Sequence, residues 1–233
     1  MIIVEGENFI MNFDGIKINP SILSADFCNL LADIKSVEGV VDFLHIDVMD
    51  GHYVNNISFG LPVIRCIRPK TDLFFDVHLM ITNPEQFIKP FADAGADSIT
   101  FHYECTNDPA SLIKEIKALG KKAGIAIHPD TDVEKIFPFI PDLDLVLLMS
   151  VVPGLGGQSI LPECYDRLKK IRAEIDRTNS NTVLSVDGGI NTKTIKDVVD
   201  SGANLLVAGS AVFAQPEPGK AVEELIKCAG KSL

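Results

Sequence analysis

The feature that most constrains this chain is a repetition. From Ile16 onward, short β-branched or apolar runs alternate with amphipathic helical patterns, and eight such runs fall at about 16–23, 41–49, 72–80, 97–103, 122–127, 143–151, 182–187 and 203–209. Runs of this kind separated by helical stretches form βα units with a parallel sheet. Eight units predict a closed α/β barrel, the (β/α)8 TIM barrel, as a single catalytic domain over 16–233. Residues 1–15 show no clear periodicity, Gly6, Asn12 and Gly15 interrupting what apolar pattern there is, and are expected to be an N-terminal extension. No linker divides the chain, and no repeat is visible beyond the βα unit.

Start and stop signals support the helices. Asn83-Pro84 and Asp108-Pro109 each place a capping side chain before a proline at the first helical position. Phe87 and Phe91 follow the first on one face, and Leu112, Ile113 and Ile116 follow the second. Cys164, Leu168, Ile171 and Ile175 keep helical spacing. Asp26 precedes a patterned segment, Phe27, Leu30, Leu31, Ile34 and Val37, that predicts the first outer helix, ending near Gly39. Gly95, Gly120 and Gly202 stand where helices should end. Pro90 falls inside a predicted helix, where a missing N–H predicts a kink.

Composition narrows the function. A hydrophobic fraction of 46% suits a large core, and a net charge of −11 speaks against nucleic acid or an anionic membrane as the main partner. An anionic ligand would need local donors. Five cysteines without CxxC spacing, and no basic n-region before an apolar run, predict reduced thiols in a soluble cytoplasmic protein without a disulfide framework. No run approaches the length of a membrane span.

The chemistry collects at the C-terminal ends of the runs, where barrels carry their functional groups. The second run, in VDFLHIDVMDG, ends with His45, Asp47 and Asp50, and the period of two puts His45 and Asp47 on one side. An imidazole and a carboxylate buried together need a partner: a metal ion serves both, and a salt-bridged pair is the alternative. The third run ends with His78, in phase with Asp76 and Met80, and the seventh ends with Asp187 before a glycine pair. His45, Asp47, His78 and Asp187 thus fit a four-ligand site for zinc or another divalent ion such as iron, manganese or cobalt, and each also has a plain reading as a satisfied polar residue near the rim.

Glycine loops form a second constellation: Gly154-Leu155-Gly156-Gly157 after the sixth run, Gly188-Gly189 after the seventh, and Gly209-Ser210 after the eighth, before a short helical AVF. Loops after the last barrel strands are the usual phosphate seat, where backbone N–H groups close on an anion. Met49, Met80 and Met149 sit at three strand ends, as core filler or as a polarisable lining that excludes water from the reacting carbons. His102 with Glu104, and His128, are read as rim or hydrogen-bonded residues, and His52 as a loop residue.

Several long motifs, in order and spacing over about 18–213, resemble the ribulose-phosphate 3-epimerase family: NPSILSADF, HIDVMDGHYVNNISFG, DVHLMITNPE, AGADSITFHYE, MSVVPGLGGQ, VDGGIN and AGSAVF. The resemblance implies a (β/α)8 barrel that interconverts ribulose 5-phosphate and xylulose 5-phosphate with one divalent metal. It implies His45, Asp47, His78 and Asp187 as ligands, Asp47 and Asp187 as the acid/base pair, and Ser21, His78, the 154–157 loop, Gly188, Gly189, Gly209 and Ser210 as substrate or phosphate contacts. The expected partner is a sugar phosphate, with a homo-oligomer as the assembly. The chain departs from the family at Val152, usually polar, at Leu155, usually phenylalanine, at Asn55, usually proline, and at His128, usually asparagine. These departures bear on substrate fit and rate more than on reaction type.

Three other readings compete. An epimerase of six-carbon ketose phosphates would differ in pocket length. A decarboxylating or cyclising barrel would rely on strand-end lysines, and no predicted strand ends in lysine. A barrel that only binds would be expected to have lost Asp47 or Asp187, and both are present.

Overall fold

The computed structural model describes residues 15–230. Each expected run is a strand: β1 Lys17–Pro20, β2 Phe43–Met49, β3 Phe74–Met80, β4 Ser98–His102, β5 Lys122–Ile127, β6 Leu145–Met149, β7 Val183–Asp187 and β8 Leu205–Ala208. They form one parallel sheet in the order β1-β8-β7-β6-β5-β4-β3-β2. The remaining seam, between β1 and β2, is closed by a parallel bridge from Ser21 to His45 at its carboxyl end. The extension expected over 1–15 lies, but for Gly15, outside the described residues.

The outer layer contains α1 Leu30–Val37, α2 Leu61–Ile67, α3 Ile88–Ala94, α4 Pro109–Ala118, α5 Cys164–Arg177, α6 Ile195–Asp200, α7 Ser210–Phe213 and α8 Pro218–Cys228. Asp108 caps α4 as expected, accepting from Ser111 N at 3.1 Å. Cys164, Leu168, Ile171 and Ile175 are the buried stripe of α5. Gly95 ends α3 with φ 108°, a left-handed conformation that a side chain resists.

Three details differ from the sequence reading. Asn83 is itself left-handed and makes no side-chain cap; Pro84–Gln86 form a 3-10 turn, and the α-helix starts only at Ile88. Pro90 therefore lies in the first turn, where its missing N–H has no intrahelical partner to lose, and no kink is needed. The first outer helix starts only at Leu30; its Ile34 and Val37 are buried, while Leu31, and Phe27 ahead of the helix, are exposed. The connection from β5 to β6 is a 3-10 helix, Val133–Asp142, with Pro138 and Pro141 inside it, because two prolines remove the donors an α-helix would need.

The core has two layers. Outward-facing strand residues such as Leu44, Ile46, Val77 and Ile99 pack against the helices. Inside the barrel, Phe43, Phe74, Leu145, Val183 and Leu205 belong to an apolar plug. Phe43 and Phe74 meet edge to face at 5.2 Å between ring centres. Above this plug the inward positions turn polar, so the barrel is a packed base carrying a reactive mouth. No helix among the described residues is long and apolar enough to cross a membrane, and all five cysteines are unbonded.

Gly124 on β5 pairs with Thr100 on β4, and a Cβ added there would lie 2.2 Å from the Thr100 hydroxyl and 3.1 Å from Leu145. Gly124→Ala is expected to lower stability by about 1–3 kcal/mol, as overpacking a closed core does. Urea unfolding with an unchanged midpoint would contradict this account of the barrel interior.

Candidate active site

The parallel register of β2 and β3 sets His45 beside Asp76, Asp47 beside His78 and Met49 beside Met80. Inward-facing residues of adjacent strands therefore stack as polar layers beneath the mouth. His45 and His78 are completely buried and Asp47 nearly so. Asp187 reaches the same point from the end of β7, with β1 and β8 lying between it and β2 around the barrel. One donor atom from each of His45, Asp47, His78 and Asp187 lies within 4.8 Å of the others.

Asp47 is the hub. Its Oδ1 lies 3.1 Å from His45 Nε2 and 3.0 Å from His78 Nδ1, and its Oδ2 accepts from Ser21 Oγ at 2.5 Å. His78 Nδ1 is also 3.9 Å from Asp187 Oδ2. The other nitrogen of His45, Nδ1, donates to Asp76 Oδ2 at 2.8 Å, so Nε2 is the atom His45 turns toward the centre. Asp76 is itself held by Asn19 Nδ2 at 2.7 Å and Ser98 Oγ at 2.7 Å.

The electrostatics follow from burial and neighbours. Burial opposes the charge on Asp47, but His45 and His78 outweigh it and hold Asp47 well below the usual carboxylate range. Burial likewise opposes charge on His45, and Asp47 and Asp76 on either side raise it well above an ordinary imidazole. Asp187 goes the other way: burial, with the Asp47 charge beside it, pushes it up to about 6. The two carboxylates are thus driven apart in proton affinity, which suits one to accept a proton while the other holds one.

The donor set fits a divalent ion. Two imidazole nitrogens and two carboxylate oxygens converge, the mixed set that zinc and other borderline ions take, and the remaining nitrogen of His45 is tied to a carboxylate as in many metal-bound histidines.

A cavity of about 370 Å³ opens directly above Asp47 and Asp187. Ser21, Met49, Met80 and Met149 line its deep end. Met49 and Met80 pack with Val54, while Met149 belongs to the interior plug, so the methionines serve as core and as lining at once. Gly154, Leu155, Gly156 and Gly157 form one wall, and Gly188, Gly189, Gly209 and Ser210 another. Glycine is required at two of these: a Cβ on Gly188, at φ 114°, would lie 2.5 Å from Val151, and one on Gly189, at φ 65°, would lie 2.6 Å from Ile160. Every residue singled out for substrate or phosphate contact lines this cavity except His78, which lies beneath it. Leu155 is 68% exposed on the cavity wall, and Val152, 51% exposed, lies beside the loop.

A parallel barrel with paired imidazoles and paired carboxylates at its strand ends, opening into a glycine-walled cavity, defines a barrel enzyme. The chain belongs to the ribulose-phosphate 3-epimerase family, whose sequence profile matches residues 17–213. It is 47% identical over 212 residues to the ribulose-phosphate 3-epimerase of Bacillus subtilis, covering 90% of this chain and 98% of that one. It is 43% identical over 216 residues to that of Mycobacterium tuberculosis H37Rv, covering 93% and 94%. The cytoplasmic isoform of rice is 42% identical over 216 residues, covering 91% and 93%. Among solved structures, a 3-hexulose-6-phosphate synthase superposes with a TM-score of 0.65 at 21% identity, over 91% of this chain and 99% of that one. An orotidine 5'-phosphate decarboxylase from Pyrococcus horikoshii does so with 0.67 at 16%, over 92% and 100%. At these identities the likeness is one of fold.

Sequence reasoning missed part of the support. Asn19, on β1 and two residues before Ser21, was not singled out, and Asp76, placed in phase with His78 by the strand period, was given no role. Of the two readings of His102, rim or hydrogen-bonded, the structure shows the second: the ring is completely buried, 2.9 Å from His78. Burial pushes His102 down to about 4, so it is neutral near pH 7. His52 is exposed as a loop residue, and His128 lies at the rim.

Asp50 is a clamp between loops. It accepts from Thr82 N at 2.7 Å, Thr82 Oγ1 at 2.8 Å, His52 N at 2.8 Å and Tyr53 N at 3.0 Å. Burial by itself would raise its pKa, but these donors outweigh it and bring it down to about 2. A carboxylate depressed in the folded state adds stability that is complete above its ordinary value near 3.9 and disappears as pH falls through the folded value. Wild type should therefore exceed Asp50→Asn by about 1–2 kcal/mol at neutral pH, with the gap closing between about pH 4 and pH 2. Denaturant unfolding at a series of pH values checks this, and a gap that persists at pH 2 would contradict it.

Proposed function

We propose that the chain interconverts D-ribulose 5-phosphate and D-xylulose 5-phosphate, a step of pentose phosphate metabolism, by moving a proton at carbon 3. The observation that carries this reading is the pair Asp47 and Asp187, reaching one cavity floor from strands separated by two others, the proton affinity of Asp47 lowered and that of Asp187 raised. Inverting a carbon beside a carbonyl needs a base on one face and an acid on the other, and reversal exchanges the roles.

In this scheme the ionised Asp carboxylate removes the carbon 3 proton and the protonated one returns a proton to the opposite face of the enediolate. Ser21 holds Asp47 through its Oδ2, so the carboxylate cannot swing away from the floor. Met49, Met80 and Met149 keep water from the reacting carbons, and the backbone of the 154–157, 188–189 and 209–210 segments takes the phosphate. His45, Asp47, His78 and Asp187 would hold one divalent ion, with zinc first and iron, manganese or cobalt as the other choices. Bound there, it would supply Lewis-acid stabilisation of the negative charge that develops on the substrate oxygens. Leu155 gives the cavity wall a smaller apolar side chain than the phenylalanine usual at that position, a difference that acts on substrate fit.

A cytoplasmic, homo-oligomeric enzyme completes the proposal. The free cysteines and the rice relative's name support the first. For the second, the family resemblance is the ground, and exposed apolar side chains such as Phe27, at 52%, and Ile57, at 76%, are groups that self-association would cover. Sedimentation at micromolar concentration should give a multiple of the chain mass, and a single-chain mass would overturn that part.

Ribulose 5-phosphate incubated with the enzyme in deuterated water is expected to gain deuterium at carbon 3 as xylulose 5-phosphate appears. Chelation should stop both, and an added divalent ion should restore them. Asp187→Asn should keep the fold and lose roughly 10²–10⁴ in turnover. Full activity in that variant would sink the two-base scheme, and folded protein with no exchange under any metal condition would direct attention to a six-carbon ketose phosphate.

A further inference from the structure

The second nitrogen of His78 leads away from the floor along a chain of side chains that the reaction itself does not use. His78 Nε2 lies 2.9 Å from His102 Nε2, with both rings completely buried. On the far side, His102 Nδ1 lies 2.8 Å from the Tyr53 hydroxyl and 3.3 Å from Glu104 Oε2. The Tyr53 hydroxyl is in turn 3.4 Å from the same Glu104 oxygen.

With a cation among the four ligands, hydrogen counting gives this chain a direction. His78 Nδ1, 3.0 Å from Asp47 Oδ1 and 3.9 Å from Asp187 Oδ2, must then be bare, so His78 carries its hydrogen on Nε2. His102 Nε2 must accept it, which puts the hydrogen of a neutral His102 on Nδ1, facing the Tyr53 hydroxyl oxygen at 2.8 Å and Glu104 Oε2 at 3.3 Å. A carboxylate only accepts, so Glu104 favours a hydrogen on that nitrogen, while the Tyr53 hydroxyl donates its own to the same oxygen. His45 is held by a different route, since Asp76 takes the hydrogen on its Nδ1 and leaves Nε2 as the nitrogen that faces the centre. The two histidines therefore present opposite ring atoms, each selected by its own carboxylate.

We infer that Glu104, acting through His102 with Tyr53 alongside, is a positioning residue that holds His78 in the tautomer whose Nδ1 can ligate a divalent cation. This rests on the four-ligand reading above. The anchor at the outer end is firm. Glu104 Oε1 accepts from His128 N at 3.0 Å, and the loop carrying that N–H is held by Arg167, which donates to His128 O at 2.9 Å, Pro129 O at 2.7 Å and Thr131 O at 2.7 Å.

That anchor makes Glu104→Gln a directed inversion. The amide oxygen must take the place facing the His128 N–H, because an amide NH2 cannot accept, and this turns the NH2 toward His102 Nδ1. A donor now meets Nδ1, which favours a bare Nδ1 and a hydrogen on Nε2 aimed at His78 Nε2. His78 is then pushed to carry its hydrogen on Nδ1, the atom the cation needs.

The test uses zinc and the full chain. Zinc affinity measured by competition with a chromophoric chelator should fall about 10–100-fold in Glu104→Gln, the range seen when a group behind a metal-bound histidine is changed. The thermal midpoint of the metal-free protein should not move with it. Independently of any variant, long-range proton–nitrogen correlation spectra of zinc-loaded wild type should show His102 protonated on Nδ1 and bare on Nε2. A His102 hydrogen on Nε2, or wild-type zinc affinity in a folded Glu104→Gln, would overturn the relay while leaving the four-ligand site standing. Failure of wild type to bind zinc, manganese, iron or cobalt would overturn that site and the relay with it.

Discussion

One carboxylate joins three strands. Asp47 on β2 accepts from Ser21, just past the end of β1, lies against His45 on its own strand, and lies against His78 on β3. A buried carboxylate is unfavourable unless its oxygens are engaged, and here the same contacts that meet this need also tie the barrel together where its strand ladder is weakest. Between β1 and β2 a single bridge, Ser21 to His45, closes the sheet, and both of its residues belong to the floor of the cavity. The residues that close the fold are residues of the site.

The polar floor is tolerable because of what lies below it and around it. The plug of Phe43, Phe74, Leu145, Val183 and Leu205 excludes water from beneath, so the charges above it interact through a medium of low polarity. In that medium small differences in partners become large differences in proton affinity. Asp47, next to two imidazoles, stays ionised; Asp187, facing a carboxylate from a strand end, is pushed up to about 6. Two residues of one type acquire two chemical characters from position alone, the difference on which the proposed two-sided proton transfer depends.

Behind each histidine of the floor lies a carboxylate that does not touch the cavity: Asp76 behind His45, and Glu104, through His102, behind His78. The contrast between a direct contact and a relayed one follows from strand geometry. Asp76 is the register partner of His45 on the neighbouring strand, whereas His78 presents its outer nitrogen to β4, where His102 intervenes before Glu104 is reached. The outer shell is thus built from the strands next to those that carry the floor, and it reaches the surface through the loops after β2, β4 and β5.

Much was decided by the linear pattern. Eight apolar runs separated by helical stretches can bury their faces in few ways, and the period of two along β2 places His45 and Asp47 together before any fold is known. The glycines at 188 and 189 were legible because a tight turn after a strand leaves no room for a Cβ. Tertiary structure decided what depends on the register between strands and on backbone departures from regular geometry. The pairing of His78 with His102, the reach of Tyr53 across the mouth and the grip of Asp50 on Thr82 join residues distant in the chain, and nothing in local periodicity ranks such pairs. Asn83 in a left-handed turn and the 3-10 run through Pro138 and Pro141 likewise arise where packing or missing donors override local preference. Sequence alone supplied the strands and the side chains they carry, because periodicity is local. Only the closed barrel decided which nitrogen each histidine turns toward the floor and how differently its two carboxylates hold a proton, because both depend on neighbours that the fold alone brings within a few ångströms.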